Sequence, residues 1–237
     1  MKYIRKRGAP QDYLQWCRDV KGTDGETFLN LKNPEKTSVL DSLMREQGWI
    51  CAYTMRRIDK GTCHIEHVKP ESLCRKELKG SDLDYHNFLA CFPLEGMAPK
   101  YRYGAQKKGD WWIDNGKDFI SPLVPNCEKR FNFDLDGVIH PTGKNGPAEK
   151  TIKILGLDHC TLTEERKRVI SEYIYGGDGR DAASISQATR MLKQISSLDN
   201  EQYYEYCVAI RDALIQYISK LQTKRKRNIY RRRSAKR

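Results

Sequence analysis

Apolar residues recur at helical spacing in the first and last parts of the chain. One short stripe follows Pro10, and a second lies between Asn33, which can cap a helix, and Gly48, which can end one. Farther along, residues 161–164 fit a capping box that precedes a third helix. Two more stripes follow, the last within a helix predicted over residues 201–222. These stripes predict helices that pack through one face.

The middle of the chain has a different pattern. An apolar run at residues 49–53 and an alternating run at residues 61–70 flank a turn-rich stretch, which predicts a hairpin. Residues 118–146 are rich in Pro and Gly and predict loops, with one or two edge strands within 131–138. Strands inside a helical frame predict an α+β protein.

Composition places the chain in the soluble globular class. Of its 237 residues, 38% are hydrophobic and 31% are charged. No apolar stretch approaches the roughly 20 residues that span a bilayer, and the basic N-terminus lacks the apolar core of a signal peptide. We therefore expect a cytoplasmic protein without a membrane partner, whose eight cysteines stay reduced.

The net charge of +12 is concentrated at one end. Residues 220–237 contain ten Lys or Arg and no acid, whereas the rest of the chain has 33 basic and 31 acidic residues. Such a tail suits the phosphates of nucleic acid, and its embedded Tyr230 suits base stacking. A tail that only increases solubility is the alternative.

The clearest chemistry is the pair Glu66-His67 at the end of the alternating run, with Asn87 downstream. A carboxylate can hold a hard divalent cation, and an imidazole can take a proton from water near neutral pH. An exposed polar strand end is the alternative for the pair, and a turn cap is the alternative for Asn87. His64 should share the face of Glu66 because side chains alternate along a strand.

A family resemblance extends this interpretation. It is carried by Cys51-Ala-Tyr, His64-Ile-Glu-His-Val-Lys-Pro70-Glu-Ser72, Asn87-Phe-Leu-Ala-Cys91 and Lys107-Lys-Gly-Asp110. These stretches resemble HNH endonucleases of the ββα-metal type, most of all the HNH nucleases of Septu and retron anti-phage systems, the PtuB family. The resemblance implies an HNH core at residues 49–119, between a helical segment at 1–48 and a loop-rich, then helical region at 120–222. A basic tail at 223–237 follows.

The resemblance also implies roles for the site residues. His67 would be the general base, Glu66 would hold Mg²⁺ or Mn²⁺, and the Asn87 carbonyl would orient the His67 ring. Similar nucleases commonly have His or Asn as a further metal ligand where this chain has Gln106, whose amide oxygen can also ligate a hard cation. Asp110, His86 or waters are the alternatives that would complete the site. Many also bind a structural zinc through two Cys pairs. Here Cys51 and Cys91 remain, but Thr54 stands in place of the partner of the first pair and Tyr103-Gly104 offers no second partner, so we expect no zinc.

Several basic residues are candidates for binding nucleic acid: Lys107, Lys108, Arg225, Arg227, Arg231, Arg232 and Arg233. The function implied is a divalent-metal-dependent endonuclease that acts as the toxic effector of an anti-phage system. A Septu-type ATPase would be its partner, joined in retron systems by a reverse transcriptase and its RNA–DNA product. The substrate is DNA by default, and an RNA such as tRNA is compatible. The alternative is a non-catalytic nucleic-acid-binding adaptor with a degenerate site.

Overall fold

The structure, a computed structural model, describes residues 1–94, 98, 101–176 and 182–234, without the side chains of Ile229, Tyr230, Arg232 and Arg233. Within these residues the chain forms eight α-helices and four short strands, which confirms the predicted α+β class. The helices are α1 (Gln11–Val20), α2 (Glu35–Glu46), α3 (Glu71–Glu77), α4 (Ala105–Lys108), α5 (Gly146–Leu155), α6 (Cys160–Tyr175), α7 (Ile185–Ile195) and α8 (Cys207–Ser234). The strands are β1 (His64–His67), β2 (Phe88–Cys91), β3 (Phe131–Phe133) and β4 (Ile139–Pro141).

The first sheet joins β1 and β2 in antiparallel order. Ile65 lies opposite Ala90, and His67 lies opposite Phe88. All four residues of β2 are buried, whereas β1 alternates between half-buried and buried positions. The half-buried face of β1 carries His64 and Glu66, which are therefore available to a surface cleft.

The predicted hairpin between residues 49–53 and 61–70 is wrong. Ile50 instead forms a single antiparallel bridge with Arg57, and the chain between them turns back on itself. This turn is closed by a hydrogen bond from the Met55 N–H to the Cys51 carbonyl at 2.9 Å. Because β2 is apolar on both faces, it lies in the interior, where β1 supplies the backbone hydrogen bonds that it needs.

The first two predicted helices are confirmed as α1 and α2, and both brace this sheet. The hydroxyl of the buried Tyr13 donates to the Leu83 carbonyl at 2.5 Å. Just after α2, the amide of the buried Gln47 accepts from the Ala90 N–H and donates to the Ala90 carbonyl, both at 2.8 Å. Gln47 thereby takes the place of a neighbouring strand beside β2.

The second sheet confirms one edge strand within the predicted range 131–138, whereas its partner β4 begins at Ile139, beyond that range. β3 pairs antiparallel with β4, with Asn132 opposite His140. Phe131 and Phe133 are buried while Asn132 between them is exposed, as expected for a strand with one solvated face. β3 packs against α8, and β4 packs against α5. Within the described ranges, no helix is long and apolar enough to cross a membrane.

The start of α6 differs from the prediction. The helix begins at Cys160, and its N-cap is His159, whose Nδ1 accepts from the Thr161 N–H at 3.3 Å. Residues 161–164 therefore lie inside the helix and do not form its capping box. A capping box is present instead at α7, where the Ser184 and Gln187 side chains bond to each other's backbone N–H groups.

The last helix, α8, is longer than predicted. The predicted helix spans residues 201–222 and is followed by a tail, whereas α8 begins at Cys207 and continues to Ser234. Lys and Arg have high helix propensity, and residues 223–234 contain no Gly or Pro to end the helix. The predicted tail is therefore mostly the exposed end of a helix that packs against α6 and α7. Residues 235–237 lie outside the described residues.

Candidate active site

A cleft of about 320 Å³ lies where β1, the start of α3 and α4 meet. Its lining includes Glu66 and His67 from β1, Gln106 and Lys108 from α4, and Asp110 just beyond α4. The fold therefore brings the Glu-His pair and the Lys-Lys-Gly-Asp stretch together, although they are far apart in the sequence.

His67 ends β1 with its ring fixed by a backbone carbonyl. Its Nε2 lies 2.9 Å from the carbonyl oxygen of Asp82, and since a carbonyl can only accept, Nε2 carries the proton. Phe28 and Phe88 contact the ring edge-on, with ring centroids 4.6 and 4.8 Å away. Nδ1 has no hydrogen-bond partner among the described residues, so its lone pair is available at the cleft. A base that takes a proton from water needs this tautomer.

Burial lowers the pKa of His67 below its ordinary value of 6.5. The Asp82 carbonyl and nearby carboxylates act in the opposite direction but do not cancel the effect of burial. The imidazole is therefore neutral at neutral pH, which is the form that can accept a proton.

Asp82 is a site residue that sequence reasoning missed. Its side chain is buried, and its Oδ2 accepts from the Thr27 hydroxyl at 2.8 Å and from the Phe28 N–H at 2.9 Å. Asp82 thus holds both the His67 ring, through its carbonyl, and the backbone of the Phe28 that packs on that ring. Any residue type can supply a carbonyl, so the sequence carries no signal for this contact.

Asn87 does not hold the His67 ring, contrary to the role implied by the resemblance. Its Oδ1 accepts from the Lys69 N–H at 2.8 Å, and its Nδ2 donates to the Lys69 carbonyl at 2.9 Å. The Val68 N–H also donates to the Asn87 carbonyl at 2.9 Å. Asn87 therefore clamps the chain directly after β1 and positions His67 through the backbone.

Glu66 and Lys108 form an ion pair inside the cleft. The Lys108 Nζ lies 2.8 Å from Glu66 Oε1. It also donates to the carbonyls of His67, at 3.0 Å, and Gly109, at 3.4 Å. The Lys108 side chain is only 1% exposed. The prediction that Lys108 contacts substrate phosphates is therefore corrected, because its ammonium is used within the protein.

His64 lies on the same face of β1 as Glu66, as the alternation of the strand predicts. Its Nε2 is 3.9 Å from Glu66 Oε2, and its Nδ1 is 2.7 Å from the Pro93 carbonyl oxygen. Burial lowers the pKa of His64, but the Glu66 carboxylate and the Pro93 carbonyl outweigh burial and raise the pKa overall. His64 and Lys108 thus flank the two oxygens of Glu66.

The other two predicted residues of α4 lie at the rim of the cleft and at the surface. Gln106 lines the cleft, and its Nε2 donates to the Leu94 carbonyl at 3.4 Å. Lys107 is exposed, and its stem lies over Gly156, where an added Cβ would be 2.7 Å from Lys107 Cδ. Of the two lysines, Lys107 is therefore the one available to a substrate phosphate.

The oxygen donors that line the cleft are of the chemical type that a hard divalent cation prefers. Glu66 and Asp110 offer carboxylate oxygens, and Gln106 offers an amide oxygen. In the described ranges, no three His, Cys, Asp or Glu side chains are arranged to hold a metal. Mg²⁺ or Mn²⁺, if bound in this cleft, would take its protein ligands from Glu66, Gln106 and Asp110, in competition with Lys108 for the Glu66 carboxylate.

Cys51 and Cys91 lie together in the core. Both are buried, and the Cys51 Sγ accepts from the Phe92 N–H at 3.3 Å. Burial raises the pKa of Cys51, but hydrogen bonds from Cys91 and Thr54 outweigh burial and lower the pKa to about 6. Thr54 thus supplies a hydroxyl where the resemblance places a cysteine. That the protein binds no structural zinc stays a prediction.

The basic residues of α8 form an exposed stripe along the helix. Four of them recur at three- or four-residue spacing and line a shallow groove of about 510 Å³: Lys220, Lys224, Arg227 and Arg231. Arg225 is exposed as well. The predicted contacts of Arg232 and Arg233 lie outside the described side chains.

No protein-family model and no curated protein matches the chain. The features that bear on its function are therefore those of the cleft. They are a neutral imidazole with an available Nδ1, an adjacent carboxylate paired with a buried ammonium, and further oxygen donors on the opposite wall.

Proposed function

We propose that the protein hydrolyses phosphodiester bonds of nucleic acid as an HNH-type endonuclease, with His67 as the general base. The tautomer of His67 carries this proposal: Nε2 is bound to the Asp82 carbonyl, and Nδ1 has no hydrogen-bond partner among the described residues, in a side chain that lines the same cleft as Glu66. Removing a proton from the water that attacks phosphorus requires a neutral imidazole, and burial lowers the pKa of His67. A base of this kind contributes about 10²–10⁴-fold to the rate.

The order of elements around the cleft supports the same class. β1 supplies Glu66 and His67, β2 follows the Asn87 clamp and pairs with β1, and the short helix α4 supplies Gln106 and Lys108. Two antiparallel strands followed by a helix are the arrangement implied by the resemblance to ββα-metal nucleases.

Each residue then has a defined task. Mg²⁺ or Mn²⁺, when bound, neutralises charge on the phosphate and on its leaving oxygen. His67 accepts the proton of the attacking water on Nδ1, while its Nε2–H keeps donating to the Asp82 carbonyl. Asn87 keeps the backbone after β1 in place, and the exposed Lys107 contacts a phosphate of the substrate.

The biological role follows from the resemblance. We propose that the protein is the toxic effector of a Septu- or retron-type anti-phage system and acts with a partner ATPase. In a retron system a reverse transcriptase and its RNA–DNA product would join them. DNA is the default substrate of HNH nucleases, and a structured RNA such as tRNA fits the same chemistry.

A second candidate function is a nucleic-acid-binding adaptor without catalysis. The ion pair between Lys108 and Glu66 favours it, because a carboxylate that is already neutralised binds a cation more weakly. The basic stripe of α8 would then carry the binding.

Incubating the purified protein with supercoiled plasmid and with total RNA, alone and with the ATPase, separates the two functions. If the protein is an endonuclease, it should cleave one of these substrates when Mg²⁺ or Mn²⁺ is present. It should cleave neither substrate when a chelator is present. A matched control is His140→Ala, which replaces an exposed histidine paired with Asp134 and should cleave like the wild type. Binding without cleavage under every condition would favour the adaptor.

A further inference from the structure

A second cavity, of about 500 Å³, lies between the N-terminal segment, the end of α2 and Tyr203, and shares no lining residue with the active-site cleft. Its charged lining residues are five bases and one acid: Lys2, Arg5, Lys6, Arg7, Arg45 and Glu46. Outside residues 220–237 the chain has nearly equal numbers of bases and acids. This concentration of positive charge is therefore a local feature of the surface.

Two of the five bases are already neutralised by carboxylates. The Lys6 Nζ lies 3.0 Å from Glu46, and the Lys2 Nζ lies 2.9 Å from Glu128. The bases that are exposed and have no ion pair within the described residues are Arg5, Arg7 and Arg45. Three arginines thus line one cavity without an ion-pair partner in the part of the chain that the structure describes.

The N-terminal segment that carries two of these arginines is held in place along its length. Met1 and Ile4 are buried, and the Ile4 N–H donates to the Pro122 carbonyl at 2.9 Å. The Arg7 N–H donates to Glu46 Oε1 at 2.7 Å, which ties the segment to the end of α2. The backbone is therefore fixed before any ligand binds, while the guanidinium groups stay available.

The spacing of the arginines suits a chain of phosphates. Arg5 and Arg7 are exposed, whereas Lys6 between them packs on the Tyr85 ring, with Nζ 3.8 Å from the ring centroid. Arg5 and Arg7 are two residues apart in a segment that forms neither helix nor strand, so their Cα atoms lie at most about 7 Å apart. Arg45 adds a third guanidinium from the last turn of α2.

We propose that this cavity is a second nucleic-acid site, where the three arginines bind phosphates of the backbone; the choice of nucleic acid as ligand rests on the proposed function. The planar fork of a guanidinium matches two phosphate oxygens. Tyr3 also lines the cavity and offers an aromatic ring on which a base can stack, whereas the Lys2 ammonium already lies over the Tyr203 ring, 5.1 Å from its centroid. The site extends the substrate contact to a surface outside the cleft.

The test compares Arg5→Gln/Arg7→Gln/Arg45→Gln with a triple variant of equal charge, Arg18→Gln/Arg130→Gln/Arg190→Gln. The control replaces three exposed arginines that do not line the cavity. Binding of a labelled single-stranded oligonucleotide is measured by fluorescence anisotropy over a salt series, in chelator. The first variant should bind about tenfold more weakly at low salt, and its slope of log K against log salt should fall by about 2, at about 0.7 per contact.

The control variant should keep the wild-type affinity within about twofold and keep the salt slope. Equal affinity and equal slope in the two triple variants would overturn the proposal. Arg5→Gln alone, which should lower the slope by about 0.7, keeps the test valid if the triple variant unfolds. Because the buffer holds no divalent cation, the result does not depend on whether the protein cleaves nucleic acid.

Discussion

The ammonium of Lys108 lies 2.8 Å from Oε1 of Glu66, inside the cleft that His67 also lines. The remaining hydrogen bonds of this ammonium go to main-chain carbonyls, so Lys108 is held in place independently of any substrate. One side of the carboxylate that we propose as a metal ligand therefore already carries a positive charge. The affinity for a divalent cation should depend on Lys108 as much as on Glu66.

Replacing Lys108 with Met should make Mn²⁺ bind at least about tenfold more tightly. Two unit charges about 4 Å apart interact by about 4 kcal/mol at an effective dielectric constant of 20, so removing the ammonium removes a large repulsion. Titration followed by electron paramagnetic resonance of free Mn²⁺ measures the affinity without any need for catalysis.

Two further variants complete this experiment. Lys107→Met removes an exposed neighbouring lysine and should leave Mn²⁺ affinity unchanged, whereas Glu66→Gln should abolish binding. Unchanged or weaker binding by the Lys108→Met protein would mean that the cation site lies away from the ion pair.

The single-turnover rate of cleavage should rise with pH and level off, with a midpoint below 6.5. Burial makes the charged imidazolium of His67 less stable, so the proton leaves at a lower pH than from an ordinary histidine. The reactive form is the neutral ring, so activity is lost as the pH falls through this midpoint. A pH–rate profile on bound substrate with a midpoint clearly above 6.5 would be inconsistent with His67 as the base.

Asn87→Ala should lower the free energy of unfolding by about 1–3 kcal/mol, because the Lys69 N–H and carbonyl lose their side-chain partner. Cleavage should slow, but the midpoint of the pH–rate profile should stay in place, since the Asp82 carbonyl still holds the His67 ring. Urea unfolding and a pH–rate profile measure the two effects. The control is His86→Ala, an exposed neighbour; a shifted midpoint in Asn87→Ala alone would show that Asn87 acts on the ring after all.

Purified protein should contain no stoichiometric zinc. Only Cys51 and Cys91 remain of the two expected cysteine pairs, and Thr54 supplies a hydroxyl to Cys51 where a thiolate would be needed. Elemental analysis after dialysis against a chelator tests this. One retained equivalent of zinc per chain would mean that the two cysteines find additional ligands.

The parts of the fold that the sequence predicts well are those set by local rules. The apolar stripe that ends at Gly48 predicts α2 because helix packing and helix ends are encoded within a few residues. The pairing of β1 with β2 was missed, because it depends on which distant segment is buried rather than on the nearest turn. The predicted end of α8 is wrong because the run of Lys and Arg after Gln222 suggests a tail, although these residues have high helix propensity.

The candidate site likewise has some features that the local sequence encodes and others that depend on tertiary contacts. Glu66 and His67 are recognisable because adjacent residues with this chemistry form a motif in the sequence itself. The Asp82 carbonyl that sets the His67 tautomer has no motif, and the pairing of Lys108 with Glu66 appears only when α4 folds over β1. The side chains that we propose for the chemistry are thus predictable, whereas the groups that position them depend on tertiary contacts.

The most direct test of the central claim is the single-turnover rate of His67→Ala on substrate bound beforehand. The rate should be about 10²–10⁴-fold below wild type, with nucleic-acid affinity unchanged within about twofold, because the base is lost and the phosphate contacts are not. His140→Ala, measured in parallel, should keep the wild-type rate. A His67→Ala protein that cleaves bound substrate within a few-fold of the wild-type rate would contradict the assignment of His67 as the general base.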